Sequence, residues 1–382
     1  MTINFSARVE RVEPSATLAI SDLATELESD GIDVIDLSVG EPDFPTPANI
    51  VAAGKQALDD GHTGYAPSKG VPELRTAIAD SLSKRGLSYT SDEIIVTPGA
   101  KQALYETFQA VVESQEEVVL LDPAWVSYEA MAKLAGGSIS RVDLSSSRFQ
   151  LEGSLDALTE TVSSETKLLV INSPSNPSGA VFSDAALQAV RDLAVDHDFL
   201  VISDEIYDAI TYGVDPTSLG SLDGMNERTI TINGFSKAYA MTGWRLGYLA
   251  APSELIQQAG KLHSHSVSSA THFVQYAGVA ALSDTDDAVE EMRQAFEDRR
   301  DMLIDEFAEY DLSVPVGDGA FYMMLPVSDD DQAWCENVLE NAHVATVPGS
   351  AFGTPGYARI SYAASEDRLR EAVSRLADSG FI

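Results

Sequence analysis

Residues 233–248 read Asn-Gly-Phe-Ser-Lys-Ala-Tyr-Ala-Met-Thr-Gly-Trp-Arg-Leu-Gly-Tyr, and this stretch decides what fold and chemistry we expect. It follows the apolar, β-branched run 229–232, which predicts a buried strand. Lys237 therefore lies just beyond a buried strand, where an ammonium group is costly unless it is paired or neutralised. Small residues around this lysine leave room for a flat ligand; they are Gly234, Ser236, Ala238 and Ala240.

The overall composition is that of a large, strongly acidic protein. Its 382 residues suffice for two domains, or for one large domain with a smaller lobe. The 60 acidic and 24 basic residues give a net charge of -36, which argues against binding to nucleic acids or to anionic membrane surfaces. The acidic residues are scattered, so we expect a solvated surface rather than a disordered acidic tail.

Arginine outnumbers lysine among the few basic residues. A lysine-poor, acid-rich surface indicates a protein from a salt-adapted organism, because a high-salt cytosol screens the repulsion between acidic groups. The alternative is an acidic protein from an ordinary cell.

Neither cysteine nor histidine indicates a metal site. Cys335 is the single cysteine, which excludes an intrachain disulfide, and its helical spacing from Trp334 and Leu339 indicates packing. His263 and His265 are two residues apart on a predicted helix and do not share a face.

The N-terminal segment lacks a long apolar core, and no apolar run approaches a membrane span, so we expect a cytoplasmic protein without a signal peptide.

Buried strands and helical patterns alternate between residues 48 and 282, which predicts a mostly parallel α/β sheet. The expected strands are 93–97, 118–121, 138–143, 167–171, 199–202, 229–232 and 247–250. Polar or small residues that follow these strands should meet at the carboxyl edge, where open α/β sheets bind ligands; they are Gly99, Trp125, Asn176, Asp204 and Lys237. The two chain ends, 1–47 and 283–382, would form a smaller α+β domain beside the large domain 48–282.

Two features of this edge suit a phosphorylated aromatic ligand. Gly99 and Ala100 begin a predicted helix, so backbone N–H groups there can approach a phosphate, and Arg245 adds a cation. Asp204 ends a buried strand; it either caps the next turn or keeps an aromatic ring nitrogen protonated.

Several motifs resemble those of class I aminotransferases of fold type I, and in particular aspartate aminotransferases of the gamma subgroup. The lysine segment carries Ser-Lys followed by Gly-x-Arg-x-Gly; residues 39–47 (Val-Gly-Glu-Pro-Asp-Phe-Pro-Thr-Pro) form a Pro-rich loop; residues 172–179 form an Asn-x-Pro-x-Asn-Pro-x-Gly turn. The resemblance extends from Pro14 to the last predicted helix and implies a seven-stranded, mostly parallel sheet. It departs at Gly234, where some relatives have a hydroxyl side chain that contacts the cofactor phosphate.

The resemblance implies that the cofactor is pyridoxal 5'-phosphate, bound to Lys237 as a Schiff base. Lys237, Asp204 and Tyr207 would be the catalytic residues. The implied cofactor-binding residues are Gly99, Ala100, Lys101, Trp125, Asn176, Asp204, Tyr207, Ser236, Lys237 and Arg245, with Tyr65 contributed across the interface of a homodimer.

The implied substrate-binding residues are Gly40, Trp125, Asn176 and Arg359, with Ser15, Thr17 and Lys101 for a distal carboxylate. Alternatively, Lys101 is a solvated helix residue and Ser15 only a helix cap.

The expected reaction is a ping-pong amino transfer from an L-amino acid, with aspartate favoured, to a 2-oxo acid such as 2-oxoglutarate. Aromatic amino acids, alanine, or a prephenate/glutamate pair are alternative substrates. A lyase or synthase of the same fold, and a non-catalytic sensor that only binds the cofactor, are alternative functions.

If the acidic surplus is an adaptation to salt, removing salt should unfold the protein or dissociate its subunits, because the carboxylates then repel one another unscreened. Thermal unfolding and gel filtration in dilute buffer and in molar KCl measure this effect, and sucrose serves as an uncharged control. Full stability in dilute buffer would show that the charge balance has another origin.

Overall fold

The structure is a computed structural model, and it describes residues 3–14 and 16–382. The α-helices are α1 (Ala16–Ser29), α2 (Ala48–Asp59), α3 (Pro72–Lys84), α4 (Ala100–Val111), α5 (Val126–Ala135), α6 (Leu155–Thr161), α7 (Asp184–His197), α8 (Ser253–Ser266), α9 (His272–Ala281), α10 (Asp286–Ala308), α11 (Asp331–Ala342) and α12 (Glu366–Asp378). The strands are β1 (Ile35–Asp36), β2 (Ile94–Thr97), β3 (Glu117–Asp122), β4 (Ser138–Asp143), β5 (Thr166–Asn172), β6 (Leu200–Asp204), β7 (Thr229–Gly234), β8 (Gly247–Ala250), β9 (Tyr322–Pro326), β10 (Val344–Ala345), β11 (Val347–Pro348) and β12 (Tyr357–Ser361).

The largest sheet has seven strands in the order β2-β8-β7-β6-β5-β3-β4. Only β8 runs antiparallel to its neighbours, so the predicted mostly parallel seven-stranded sheet is confirmed. Strand β4 lies at one edge, and most of its residues are exposed or only partly buried. The central strands carry apolar runs because helices cover both of their faces.

Alternate residues of the central strands pack into two separate layers. Val119 of β3 and Leu169 of β5 pack with helix α7, whereas Val118 and Leu168 pack on the other side with α4 and α8. This period of two follows from the pleat of a strand. The two layers hold the carboxyl ends of β5, β6 and β7 in line along one edge of the sheet.

The chain ends build a second, smaller group of strands. Strands β11, β12 and β9 form an antiparallel sheet, and β1 pairs with β10 in parallel. Their apolar side chains share one core with helices α10 and α12, through Phe296, Phe307 and Leu369 among others. The division of the chain at residues 47 and 282 stays a prediction.

His263 has a neighbour that the sequence pattern does not reveal. It is buried, and its Nδ1 lies 3.0 Å from a carboxylate oxygen of Glu106 on α4. Among residues 3–14 and 16–382, no group of three or more His, Cys, Asp or Glu side chains could hold a metal ion. Cys335 is buried and accepts a hydrogen bond from Thr346. In the same ranges, no helix has both the length and the apolar character needed to cross a membrane.

Candidate active site

A cavity of about 470 Å³ opens at the carboxyl ends of β5, β6 and β7. Most of the predicted site residues meet there: the lining includes Gly40, Ala100, Lys101, Trp125, Asn176, Asp204, Tyr207, Ser236, Lys237, Arg245 and Arg359. They come from the large sheet, from the Pro-rich loop and from strand β12 of the small sheet. The sequence motifs therefore converge on one site although they are far apart in the chain.

The remaining predicted site residues are Gly99, Tyr65, Ser15 and Thr17, of which Gly99 and Tyr65 do not line the cavity. Gly99 lies directly behind Arg245, where a Cβ atom would come within 2.6 Å of the guanidinium, and its φ of +81° also favours glycine. Tyr65 is 93% exposed in the single chain. Ser15 lies outside the described residues, and so does the side chain of Thr17, which means that the two predictions for a distal carboxylate remain open.

The Lys237 amine projects into the cavity from the segment after β7. It donates a hydrogen bond to the carbonyl of Gly40 in the Pro-rich loop. Burial lowers the pKa of Lys237 to about 8; Glu41 opposes the shift, and the positive charges of Arg359 and Arg245 add to it. A lysine with such a pKa is partly unprotonated near neutral pH and can accept a proton.

Asp204 ends β6 and is buried at the base of the cavity. Its carboxylate accepts hydrogen bonds from the Tyr128 hydroxyl at 2.7 Å and from the Ile206 amide at 3.3 Å. Burial raises the pKa of Asp204 to about 6, although both hydrogen bonds work against this. A cation placed against this carboxylate would favour its ionised form.

Arg359 on β12 is a buried cation without an ion-pair partner among the described residues. It donates to Asn176 Oδ1 at 3.1 Å and to the Ser38 carbonyl, while its Nε has no hydrogen-bond partner in the described part of the chain. Its guanidinium lies 4.7 Å from the Tyr322 ring centroid. Burial lowers the pKa of Arg359. Because a buried charge is costly unless it is paired, this group suits an anionic ligand.

Two more cations line the wall near the start of α4. Arg245 donates to the Thr242 carbonyl at 2.7 Å, and Lys101 Nζ lies 4.8 Å from the centre of the Trp125 ring. Partial burial and the nearby charge of Arg245 lower the pKa of Lys101. The lining thus holds four cationic side chains against Glu41 and Asp204, in a protein whose net charge is -36.

Sequence reasoning missed three residues that shape the cavity, namely Tyr128, Asn172 and Tyr322. Asn172 donates to the Asp204 carbonyl at 2.9 Å and accepts from the Asn176 amide at 2.8 Å, so it braces the turn after β5. Asn172 begins the quoted turn 172–179, and Tyr128 follows the predicted site residue Trp125 by three positions, so both could have been noticed. Tyr322 follows from the sequence only as part of an apolar strand.

Comparisons with known proteins show the family to which the chain belongs. Residues 32–376 match the family model "Aminotransferase class I and II". The chain is 41% identical to the aspartate/prephenate aminotransferase of Thermus thermophilus, with 97% of each chain covered. It is 40% identical to the aspartate aminotransferase of Bacillus subtilis, with 98% of each covered.

A solved structure of aspartate aminotransferase from Thermus thermophilus with maleate superposes with a TM-score of 0.95 at 41% identity, and covers 99% of this chain and 100% of the other. Fold, cavity lining and sequence therefore lead to one conclusion: the chain belongs to the family of class I and II aminotransferases.

Proposed function

We propose that this transaminase moves the amino group of L-aspartate to 2-oxoglutarate by a ping-pong mechanism, and that it works as a homodimer. The observation that carries the proposal is the placement of Arg359 and Lys101, two cations without an ion-pair partner among the described residues, in the cavity that holds Lys237. Both substrates are dicarboxylates, and each needs two separate cationic contacts or their equivalent.

Pyridoxal 5'-phosphate, the cofactor of this family, fits the chemistry of the lining. Asp204 offers a buried carboxylate to the ring nitrogen, and Trp125 offers a flat surface to the ring. Arg245, Ser236 and the backbone N–H groups at the start of α4 would bind the cofactor phosphate. When bound there, the cofactor supplies an electron sink for bonds at the substrate Cα.

The protein groups bind the substrate and move its proton. Arg359 holds the α-carboxylate, helped by Asn176 and the backbone of Gly40. The Lys237 amine accepts the Cα proton and later returns it, because its lowered pKa makes both steps feasible near neutral pH. With the cofactor bound, Asp204 would place its charge opposite the ring nitrogen, and Tyr207 would donate to the cofactor oxygen beside Asn176.

The dimer proposal is supported by Tyr65, which is 93% exposed in the single chain. Tyr65 lies on a loop that contains Gly and Pro residues. Covering its large aromatic side chain with a partner subunit would remove apolar surface from water, which is favourable. We propose that Tyr65 contacts the cofactor phosphate of the partner subunit. The proposed domains, 48–282 and the two chain ends, would then place the cavity where the large and small domains meet.

Aromatic amino acids are a second candidate substrate class. A solved aromatic aminotransferase from Pyrococcus horikoshii is 42% identical, with a TM-score of 0.88, and covers 95% of this chain and 100% of its own. Trp125, Leu104 and Ile206 add apolar surface to the lining. A donor panel with aspartate, phenylalanine, tyrosine and alanine separates these candidates.

Lys237→Ala should fold and still bind the cofactor, but should lose nearly all turnover with aspartate, because the variant lacks the amine that carries the proton. Half-reaction spectra of the bound cofactor, recorded with aspartate and then with 2-oxoglutarate, measure the loss directly. Substantial amino transfer by this variant would contradict the proposed role of Lys237.

Lys101→Ala should lower kcat/KM for aspartate by roughly ten- to a hundredfold, since a charged hydrogen bond contributes about 1.5–3 kcal/mol. Activity with phenylalanine should change little. Lys261→Ala, on the surface of α8, is the matched control. Equal losses for both donors would assign Lys101 to the cofactor, and no loss for aspartate would remove the cation from the proposed dicarboxylate site.

In the cofactor-free protein, Lys237 should react with an acylating reagent along a pH curve centred at about 8, because its folded-state pKa is lowered to that value. The amine is protonated and inert below this pH, and is free above it. Glu41→Gln should move the midpoint lower still, since Glu41 opposes the shift. Site-resolved mass spectrometry measures both curves, and a midpoint near 10.5 would contradict the burial argument.

A further inference from the structure

Tyr322 on β9 is buried and lines the active-site cavity. Its hydroxyl lies 2.9 Å from the hydroxyl of Tyr207, and the two rings meet edge to face with centroids 5.7 Å apart. Tyr207 comes from the turn after β6 of the large sheet, so this contact joins the two groups of strands inside the site.

The direction of this hydrogen bond decides whether Tyr207 can donate its proton to a group in the cavity. Each hydroxyl has one proton, and the structure gives neither of them another hydrogen-bond partner among the described residues. If Tyr322 donates to Tyr207, the proton of Tyr207 remains free for a group in the cavity. If Tyr207 donates to Tyr322, no proton of Tyr207 faces the cavity.

The surroundings favour Tyr322 as the donor. Burial raises the pKa of Tyr322, but the Arg359 guanidinium lies over its ring, 4.7 Å from the centroid, and opposes this rise. The pKa of Tyr207 is held well above its ordinary value by burial and by its tyrosine neighbour. The hydroxyl that is more acidic donates the stronger hydrogen bond, so the proton between them belongs to Tyr322.

We propose that Tyr322 is a positioning residue, which donates to Tyr207 and thereby directs the Tyr207 proton at the cofactor oxygen. The inference rests on the proposed contact between Tyr207 and that oxygen. It also explains a constraint on the Pro-rich loop: a Cβ atom on Gly40 would overlap the Tyr322 hydroxyl, so glycine there keeps the tyrosine in place.

Tyr322→Phe tests the proposal by removing one oxygen atom while keeping the ring over Arg359. A donor to the cofactor oxygen stabilises that oxygen's anion, so a weaker donor should raise the pH midpoint at which the visible absorption of the cofactor-loaded enzyme changes. We expect a rise of roughly 0.4–1 pH unit, the equivalent of one ordinary hydrogen bond. The dissociation constant of pyridoxal phosphate, measured by fluorescence quenching, should rise about two- to tenfold for the same reason.

Tyr362→Phe is a matched control within the same core. Tyr362 is buried, and its hydroxyl lies 3.2 Å from the Ala320 carbonyl and 3.4 Å from the Tyr212 hydroxyl, but it does not line the cavity. Its loss should lower the thermal stability comparably and leave the spectral midpoint unchanged. A midpoint shift of equal size in Tyr362→Phe would show that the effect is only structural and would overturn the proposal.

A double-mutant cycle completes the test. In a Tyr207→Phe background, Tyr322→Phe should give no further shift, because the acceptor is already absent. An unchanged midpoint in Tyr322→Phe, or an equal shift in both backgrounds, would overturn the proposal. The readout needs bound cofactor but no amino donor, so a failure of the aspartate assignment would appear in the donor panel and not in this titration.

Discussion

The active-site cavity holds cationic side chains, from the buried Arg359 to the exposed Arg245, that have no carboxylate partner among the described residues, and hydrogen bonds to the backbone offset part of the cost. Lys237, Arg245 and Arg359 donate to the backbone carbonyls of Gly40, Thr242 and Ser38, respectively. A carbonyl satisfies a donor but does not cancel its charge, so these groups remain electrostatically available to anionic ligands. By contrast, Arg299 has a carboxylate partner: it forms a bidentate ion pair with Asp43 at 2.7 and 2.9 Å.

This requirement explains why the site needs both groups of strands. The carboxyl ends of β5, β6 and β7 supply Asp204 and the lysine segment, whereas β12 supplies Arg359. The Pro-rich loop brings the Gly40 carbonyl, which accepts from Lys237, between them. Its Asp43 is held by Arg299 of α10, and its Thr46 donates to the Ala240 carbonyl at 2.6 Å, so the loop is anchored at two points after Gly40.

The parts of this arrangement that could be predicted from the sequence are those with a local signal. Runs such as 167–171 are apolar because both faces of the sheet are covered, and Asp204, Asn176 and Lys237 stand out because each follows such a run. Contacts between distant segments have no such signal. The pairing of Tyr207 with Tyr322 spans 115 residues, and that of Glu106 with His263 spans 157. No local pattern links the two partners of either pair, so only the fold reveals the pair.

The acidic surface and the cationic cavity act over different distances. A net charge of -36 repels any dicarboxylate at long range, whereas the cationic side chains of the cavity, Arg359 and Lys101 among them, act only nearby. At about 0.1 M salt the repulsion is screened beyond roughly 10 Å, and at about 1 M beyond roughly 3 Å. The partly buried contacts are screened much less. Added salt therefore removes the long-range repulsion between protein and substrate before it weakens binding in the cavity. An acidic surface and an acidic substrate are thus compatible in a concentrated ionic medium.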